Sequence, residues 1–190
     1  RGCYGESKVV SKVDPDDVLS HDQLLVGKNA TRHGTNNRVR QLLGHTYDSR
    51  VKNSGEQPWL PLPGEKLVCL RNNHEEGLLN GVLWDLARLD GHDEDIDQLA
   101  IEVKDQDSGH YVSCIAHGAP LRGEELKMMW WERSEAEEFA YGYALTVHKS
   151  QGSQWDSVMV FDESSVFRQQ WRNWLYTAIT RAATRLTVKV

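Results

Sequence analysis

The side chain with the most specific chemistry in this sequence is Arg181. It lies among Phe167, Trp171, Trp174, Leu175, Ala178, Ile179 and Ala182, whose spacing predicts one amphipathic helix. At roughly 100° per residue Arg181 falls at the edge of that apolar stripe. A guanidinium held this way has its stem packed and its head directed into a cleft. It could pair with a carboxylate, or it could meet the charge developing on a transferred phosphoryl group. A second polar cluster, Thr146, His148, Lys149, Ser150, Gln151, Gly152 and Gln154, separates two apolar runs, Tyr143–Val147 and Ser157–Phe161. Polar side chains at the end of a buried strand, followed by a glycine that lets backbone approach a ligand, mark the ligand edge of an open α/β sheet. The plain alternative is a polar strand-to-strand turn.

Elements must hold these residues in place. Asp14-Pro15-Asp16-Asp17 has the form of a helix start, with Asp as cap, Pro in the first turn and acids behind it. Gln23–Gly27 reads as a buried strand, and Lys28–Arg32 as a polar turn. A helix from about Gly34 to Leu43 follows, with Val39, Leu42 and Leu43 on one face. Strand, turn and basic helix make half of a βαβ unit. Arg1–Val13 shows no period and is expected to connect to something upstream, since a chain that opens on Arg1 is expected to be part of a longer polypeptide.

The chain has 190 residues, 39% of them apolar and 26% charged, with a net charge of −6. The charge is unevenly spread. Residues 84–107 hold nine acids against Arg88 and Lys104, whereas Lys28–Lys52 and Val166–Val190 are basic. The two basic stretches are the candidates for facing phosphate, and the acidic one should face water. Three cysteines without CxxC spacing, no apolar run long enough to span a bilayer and no leader point to a reduced, cytoplasmic setting with no membrane partner.

Two stretches carry a family resemblance. Tyr-Ala-Leu-Thr-Val-His-Lys-Ser-Gln-Gly-Ser-Gln-Trp (residues 143–155) and Leu-Tyr-Thr-Ala-Ile-Thr-Arg-Ala (residues 175–182) resemble motifs V and VI of superfamily 1 DNA helicases of the RecD-like branch. The turn and helix around Asn29, Arg32, Asn36 and Arg40 resemble motif IV more loosely. The resemblance implies a RecA-like second motor domain that steps 5′ to 3′ along single-stranded DNA with ATP and Mg²⁺. It makes Arg181 the arginine finger and puts Gln151, Gly152 and Gln154 on the nucleotide side. Thr146, His148, Lys149, Ser150, Asn29 and Arg32 fall on the DNA side. No G-x-x-x-x-G-K-[ST] occurs in the chain. ATP and Mg²⁺ are therefore expected to be held mainly by a first RecA-like domain of the same polypeptide, and this chain alone is expected to lack ATPase activity.

Between Pro63 and Gly118 the period changes to short strands, 65–70, 82–86, 99–103 and 111–115, with turns at Asn72-Asn73, Asn80-Gly81, Gly91-His92 and Ser108-Gly109. Arg71–Gly81 resembles the start of the SH3-like barrel inserted in this branch. The expected division is thus an α/β, RecA-like parallel-sheet domain of residues 1–62 and 119–190, interrupted by a small SH3-like β-barrel at 63–118. Residues 44–63 read as a linker. Three further patterns have plainer readings. Asp162-Glu163 at a strand end mimics a Mg²⁺ site but follows motif V. His110, Cys114 and His117 resemble part of a zinc site, yet strand alternation turns His117 to the other face, so no metal ligand is assigned. Trp130-Trp131 could stack on bases, but packing is favoured. The rival reading of the whole chain is a non-enzymatic module that binds nucleic acid or protein.

Overall fold

Leu24, Leu25 and Val26 are fully buried, as an uninterrupted apolar run in a parallel sheet must be when both faces are covered. The computed structural model describes residues 3–4, 6–45 and 57–190. Along the chain these form β1 (Cys3–Tyr4), β2 (Ser7–Val10), α1 (Pro15–Leu19), β3 (Gln23–Val26) and α2 (Asn29–Leu42). Next come β4 (Lys66–Cys69), β5 (Leu83–Asp93), β6 (Gln98–Asp105), β7 (Tyr111–His117), α3 (Trp130–Arg133) and β8 (Phe139–Tyr141). The chain closes with β9 (Ala144–Thr146), β10 (Trp155–Phe161), a 3₁₀ segment (Ser164–Gln170), α4 (Trp171–Ile179) and β11 (Ala182–Lys189).

Two units divide the chain, residues 1–42 with 143–190 and residues 43–142. The first holds a six-stranded sheet in the order β1-β2-β11-β10-β3-β9. All its pairings are parallel except that of β1 with β2. The first residues, which lack a period, thus add two strands to the edge beside β11. Asp14 caps α1 through Asp17 N–H at 2.7 Å, with Pro15 in the first turn, as the sequence predicts. Val39 of α2 packs with Leu24, Ala144 and Met159 in the core. At the far edge Asn36 holds Ala144 at both backbone groups, donating to its carbonyl at 3.1 Å and accepting its N–H at 2.9 Å.

The second unit holds an antiparallel sheet in the order β7-β6-β5-β4-β8. Its two edges meet where Ala116 of β7 bridges Glu137, just ahead of β8; His117 N–H donates to the Glu137 carbonyl at 2.9 Å and Glu137 N–H to that of Ile115 at 2.7 Å. Trp84, Leu86, Leu99, Ile101, Val103 and Phe139 fill its interior. Cys114 lies partly buried here, and burial pushes its thiol up to about 12, so it stays protonated at neutral pH.

Several expectations change. The division falls at 43 and 142 where 63 and 118 are expected; at the second boundary the reason is that β8 pairs with β4 and belongs to the antiparallel sheet. The expected turn at Gly91-His92 is strand: β5 runs through it, and register shifts near Leu86/Arg88 and Leu89/Gly91 absorb the glycine. α2 begins at Asn29 rather than near Gly34, so Asn29 and Arg32 lie in its first turns. Residues 121–133 contribute only the single turn α3. Trp131 is half exposed, and the Trp130 side chain lies outside the described residues. So do residues 46–56 of the expected linker, including Arg50 and Lys52 of the basic stretch. No helix among the described residues is long and apolar enough to cross a membrane.

Candidate functional site

Parallel strands release their chain at the same edge, so β9, β3 and β10, neighbours in the sheet, deliver three turns side by side. The turn after β9 is the tightest. Thr146, the last strand residue, is buried, and its carbonyl accepts from Lys149 N–H at 2.9 Å and Ser150 N–H at 3.1 Å. That closure turns His148, Gln151, Gly152 and Gln154 outward, all of them exposed. Gly152 has φ 90°, and a side chain there would meet nothing within 4 Å, so its backbone is open to a ligand.

Ser150 does not join this outward set. It is fully buried, and its hydroxyl donates to the Val147 carbonyl at 2.8 Å. The hydroxyl is committed to closing the turn, which corrects its expected place on the DNA side.

Arg181 is also differently held from the sequence expectation. The helix stops at Ile179, and Arg181 stands in the corner between α4 and β11. Thr180 ends the helix by donating its hydroxyl to the carbonyls of Tyr176 and Thr177, a local bond that competes with the helical ladder. The Arg181 guanidinium donates to Thr177 O at 3.1 Å, Ser153 O at 3.0 Å and Thr180 Oγ1 at 3.2 Å. All three acceptors are neutral, and they use three of its five N–H groups. Trp155 N–H returns a bond to the Arg181 carbonyl at 2.9 Å. The corner and the turn after β9 are therefore tied through Ser153 and Trp155.

The turn after β3 ends at Lys28 and opens α2 at Asn29, both exposed, with Arg32 at the end of the helix's first turn. Burial draws the Arg32 guanidinium below its usual pKa. Its Nε and Nη1 are shielded from solvent and meet no hydrogen-bond partner among the described residues. A buried N–H without an acceptor is costly, so turning this fork outward to an anion would relieve that cost.

The turn after β10 supplies residues that sequence reasoning did not select. Glu163 accepts from Gly27 N–H at 2.7 Å, Lys28 N–H at 3.0 Å and Thr31 Oγ1 at 2.7 Å, with Lys28 Nζ at 3.5 Å. Phe167 stacks on buried Trp174 of α4 at 5.2 Å and tilts against His148 at 5.6 Å. The available signal was the strand-end Asp162-Glu163, which reads equally as a metal site or a solvated end. Among the described residues no group of three His, Cys, Asp or Glu is placed to hold a metal ion.

Residues 141–188 match the family described as the UvrD-like helicase C-terminal domain. The ATP-dependent RecD2 DNA helicase of Deinococcus radiodurans is 29% identical over 123 residues, 65% of this chain and 14% of that protein. The RecBCD enzyme subunit RecD of Mycolicibacterium smegmatis is 52% identical over 46 residues, 24% of this chain and 8% of the relative. The chain thus spans a small part of the curated relatives it matches. Among solved structures, two coordinating Pif1 helicases at forked double-stranded DNA align with TM-score 0.57 and 19% identity, covering 88% of this chain and 39% of theirs. A Bacteroides Pif1 helicase in complex with ADP-AlF3 and single-stranded DNA aligns with TM-score 0.56 and 17% identity over 94% of this chain and 46% of that one. At these identities the structural likeness is one of fold.

Proposed function

We propose that this chain, whose residues 141–188 belong to the UvrD-like helicase C-terminal domain family in its superfamily 1, RecD-like branch, is the second motor domain of an ATP-dependent DNA helicase. The observation that carries this reading is the joint between the turn after β9 and the Arg181 corner, made at Ser153 and Trp155. One rigid piece then has a nucleic-acid side and a nucleotide side.

On the nucleotide side, Arg181 donates its guanidinium to the γ-phosphoryl oxygens as charge builds there. Its present acceptors are neutral carbonyls and a hydroxyl, which a phosphate outcompetes because charge-assisted hydrogen bonds are the stronger kind. The open backbone at Gly152 and the exposed amide of Gln151 fit a phosphate oxygen, and Gln154 fits a ribose hydroxyl. ATP with Mg²⁺ supplies the phosphoryl group whose transfer drives stepping. A first RecA-like domain of the same polypeptide holds most of that nucleotide, so this chain alone hydrolyses none.

On the other side, Thr146, His148, Lys149, Asn29 and Arg32 form part of a single-stranded DNA track with 5′ to 3′ polarity. Thr146 is buried and contributes mainly through the turn it closes. The Nε and Nη1 of Arg32, which meet no hydrogen-bond partner among the described residues, support a phosphate contact once the side chain turns outward. The edge-closing bridge of Ala116 and Glu137 supports reading the antiparallel unit as an SH3-like barrel.

The test is Arg181→Ala in the full-length protein. DNA-stimulated ATPase should fall by roughly a thousandfold or more, with single-stranded DNA affinity nearly unchanged. Normal turnover per folded molecule would make Arg181 a corner clamp and remove the assignment.

A further inference from the structure

The proposed function leaves the segment after β10 without a role, although it touches all three working parts of the site. Glu163 reaches the turn after β3, and Phe167 reaches both His148 and the α4 helix that precedes Arg181. The fit at Gly27 is close: a Cβ there would lie 2.8 Å from Glu163 Cβ and 3.1 Å from Phe167 Cε2. A glycine is required for the carboxylate to come this near the backbone.

We infer that Glu163 is a positioning residue for the nucleic-acid track, holding the β3–α2 turn so that Asn29 and Arg32 present their side chains in register with His148. The inference rests on the DNA-track reading above. The physical basis is the two-residue turn that leads into α2, whose backbone N–H groups lie in neither the strand ladder nor the helix. Gly27 and Lys28 N–H, just ahead of the helix, donate to one carboxylate oxygen, and the hydroxyl of Thr31 in its first turn donates to the other. Burial works to raise the pKa of Glu163, but the bonds from Thr31, Gly27 and Lys28, with the Lys28 charge, outweigh it and leave it lowered. The carboxylate is therefore ionised at neutral pH, and it fixes the turn from below. Phe167, four residues on, sets the His148 ring against the same support.

Two physical readings predict opposite signs. If Glu163 acted only as a negative charge beside a polyanion, its removal would tighten DNA binding. As a positioning residue, its removal loosens the turn and weakens binding in spite of the lost charge. The experiment measures binding of a single-stranded oligothymidine by the full-length protein across a salt titration, with thermal melting as a check of folding. Glu163→Ala should weaken binding about tenfold and reduce the salt slope by about one, as expected when one phosphate contact is lost. Glu163→Gln, which keeps an oxygen for Gly27 and Lys28, should stay within about threefold of the wild type. Thr31→Val, which removes one anchor and no charge, should weaken binding in the same direction even if Glu163→Ala does not fold. Equal or tighter binding by Glu163→Ala, or an unchanged affinity and slope for Thr31→Val, overturns the inference. Arg32→Ala separates the two layers. If it weakens binding and Glu163→Ala does not, only the positioning role fails. If Arg32→Ala and the wild type bind alike, the track itself has been misassigned.

Discussion

The two units use strands in opposite ways. In the first, β11, β10, β3 and β9 run parallel, so their exits gather on one edge and their turns can share a ligand. In the second, β4 to β8 run antiparallel, exits alternate between ends, and no such gathering arises. Charge follows the same division. Lys28, Arg32 and Arg181 stand at the exits of the parallel sheet or in the corner tied to them, whereas Asp90, Asp93, Glu94 and Asp95 lie exposed on or beside the β5–β6 hairpin. Direction of the strands decides which unit can assemble a composite site, and the sign of its surface decides what that site can hold.

That contrast can be broken at several points. The largest effect is expected at the Arg181 corner, where Arg181→Lys should also be poor. A point-charge ammonium cannot copy the fork that reaches Thr177 and Ser153 carbonyls together. A loss of at least a hundredfold in DNA-stimulated ATPase is expected, read against unchanged DNA affinity; near-normal turnover would show that charge alone suffices. Next, His148→Ala combined with Arg32→Ala should weaken single-stranded DNA binding by about tenfold or more and raise the DNA concentration needed for stimulation. Fluorescence anisotropy in parallel with ATPase titration would check it, and basal turnover should stay intact.

The antiparallel unit should answer to stability instead. Arg122 holds Asp97 through two bonds, at 2.8 and 2.7 Å, and lies over the Trp59 ring at 4.5 Å. The Arg122 bonds draw the Asp97 carboxyl below its usual range against the opposing effect of burial. A depressed carboxylate pKa stabilises the fold above the ordinary carboxylate range, and that contribution is lost as pH falls through the lowered value. Asp97→Asn should cost about 1 kcal/mol at neutral pH, the scale of a partly exposed pair, and should flatten the acid limb of thermal stability. DNA binding should not change. The smallest effect is expected for Asp93→Asn, Glu94→Gln and Asp95→Asn together, leaving Asp97 in place. Affinity should rise weakly with the salt slope unchanged; a slope change approaching one per residue would put this hairpin on the nucleic acid.

Legibility in the sequence tracked how local each cause was. The turn after β9 is closed within five residues, by bonds from Lys149, Ser150 and the Ser150 hydroxyl, so its motif could be read directly. Even there the inward face of Ser150 was invisible, because sequence order does not tell which polar side chain a turn spends on itself. The stripe from Phe167 to Ala182 predicted one helix. The chain breaks it at Arg168, with φ 47°, and again at Thr180, so the same apolar spacing serves a 3₁₀ segment, a helix and a strand. Glu163 was the least legible, since Gly27 lies 136 residues away and meets it only once β10 and β3 are paired.

The hold of Asn36 on Ala144 has a consequence of another kind. β9 ends the sheet, and its outer backbone groups would otherwise be an open template for a strand from a second molecule. A single amide, taking both the N–H and the carbonyl of Ala144, stands in for the strand that is missing. Replacing Asn36 with Leu would keep the bulk and expose that template, so the expected symptom is self-association on storage.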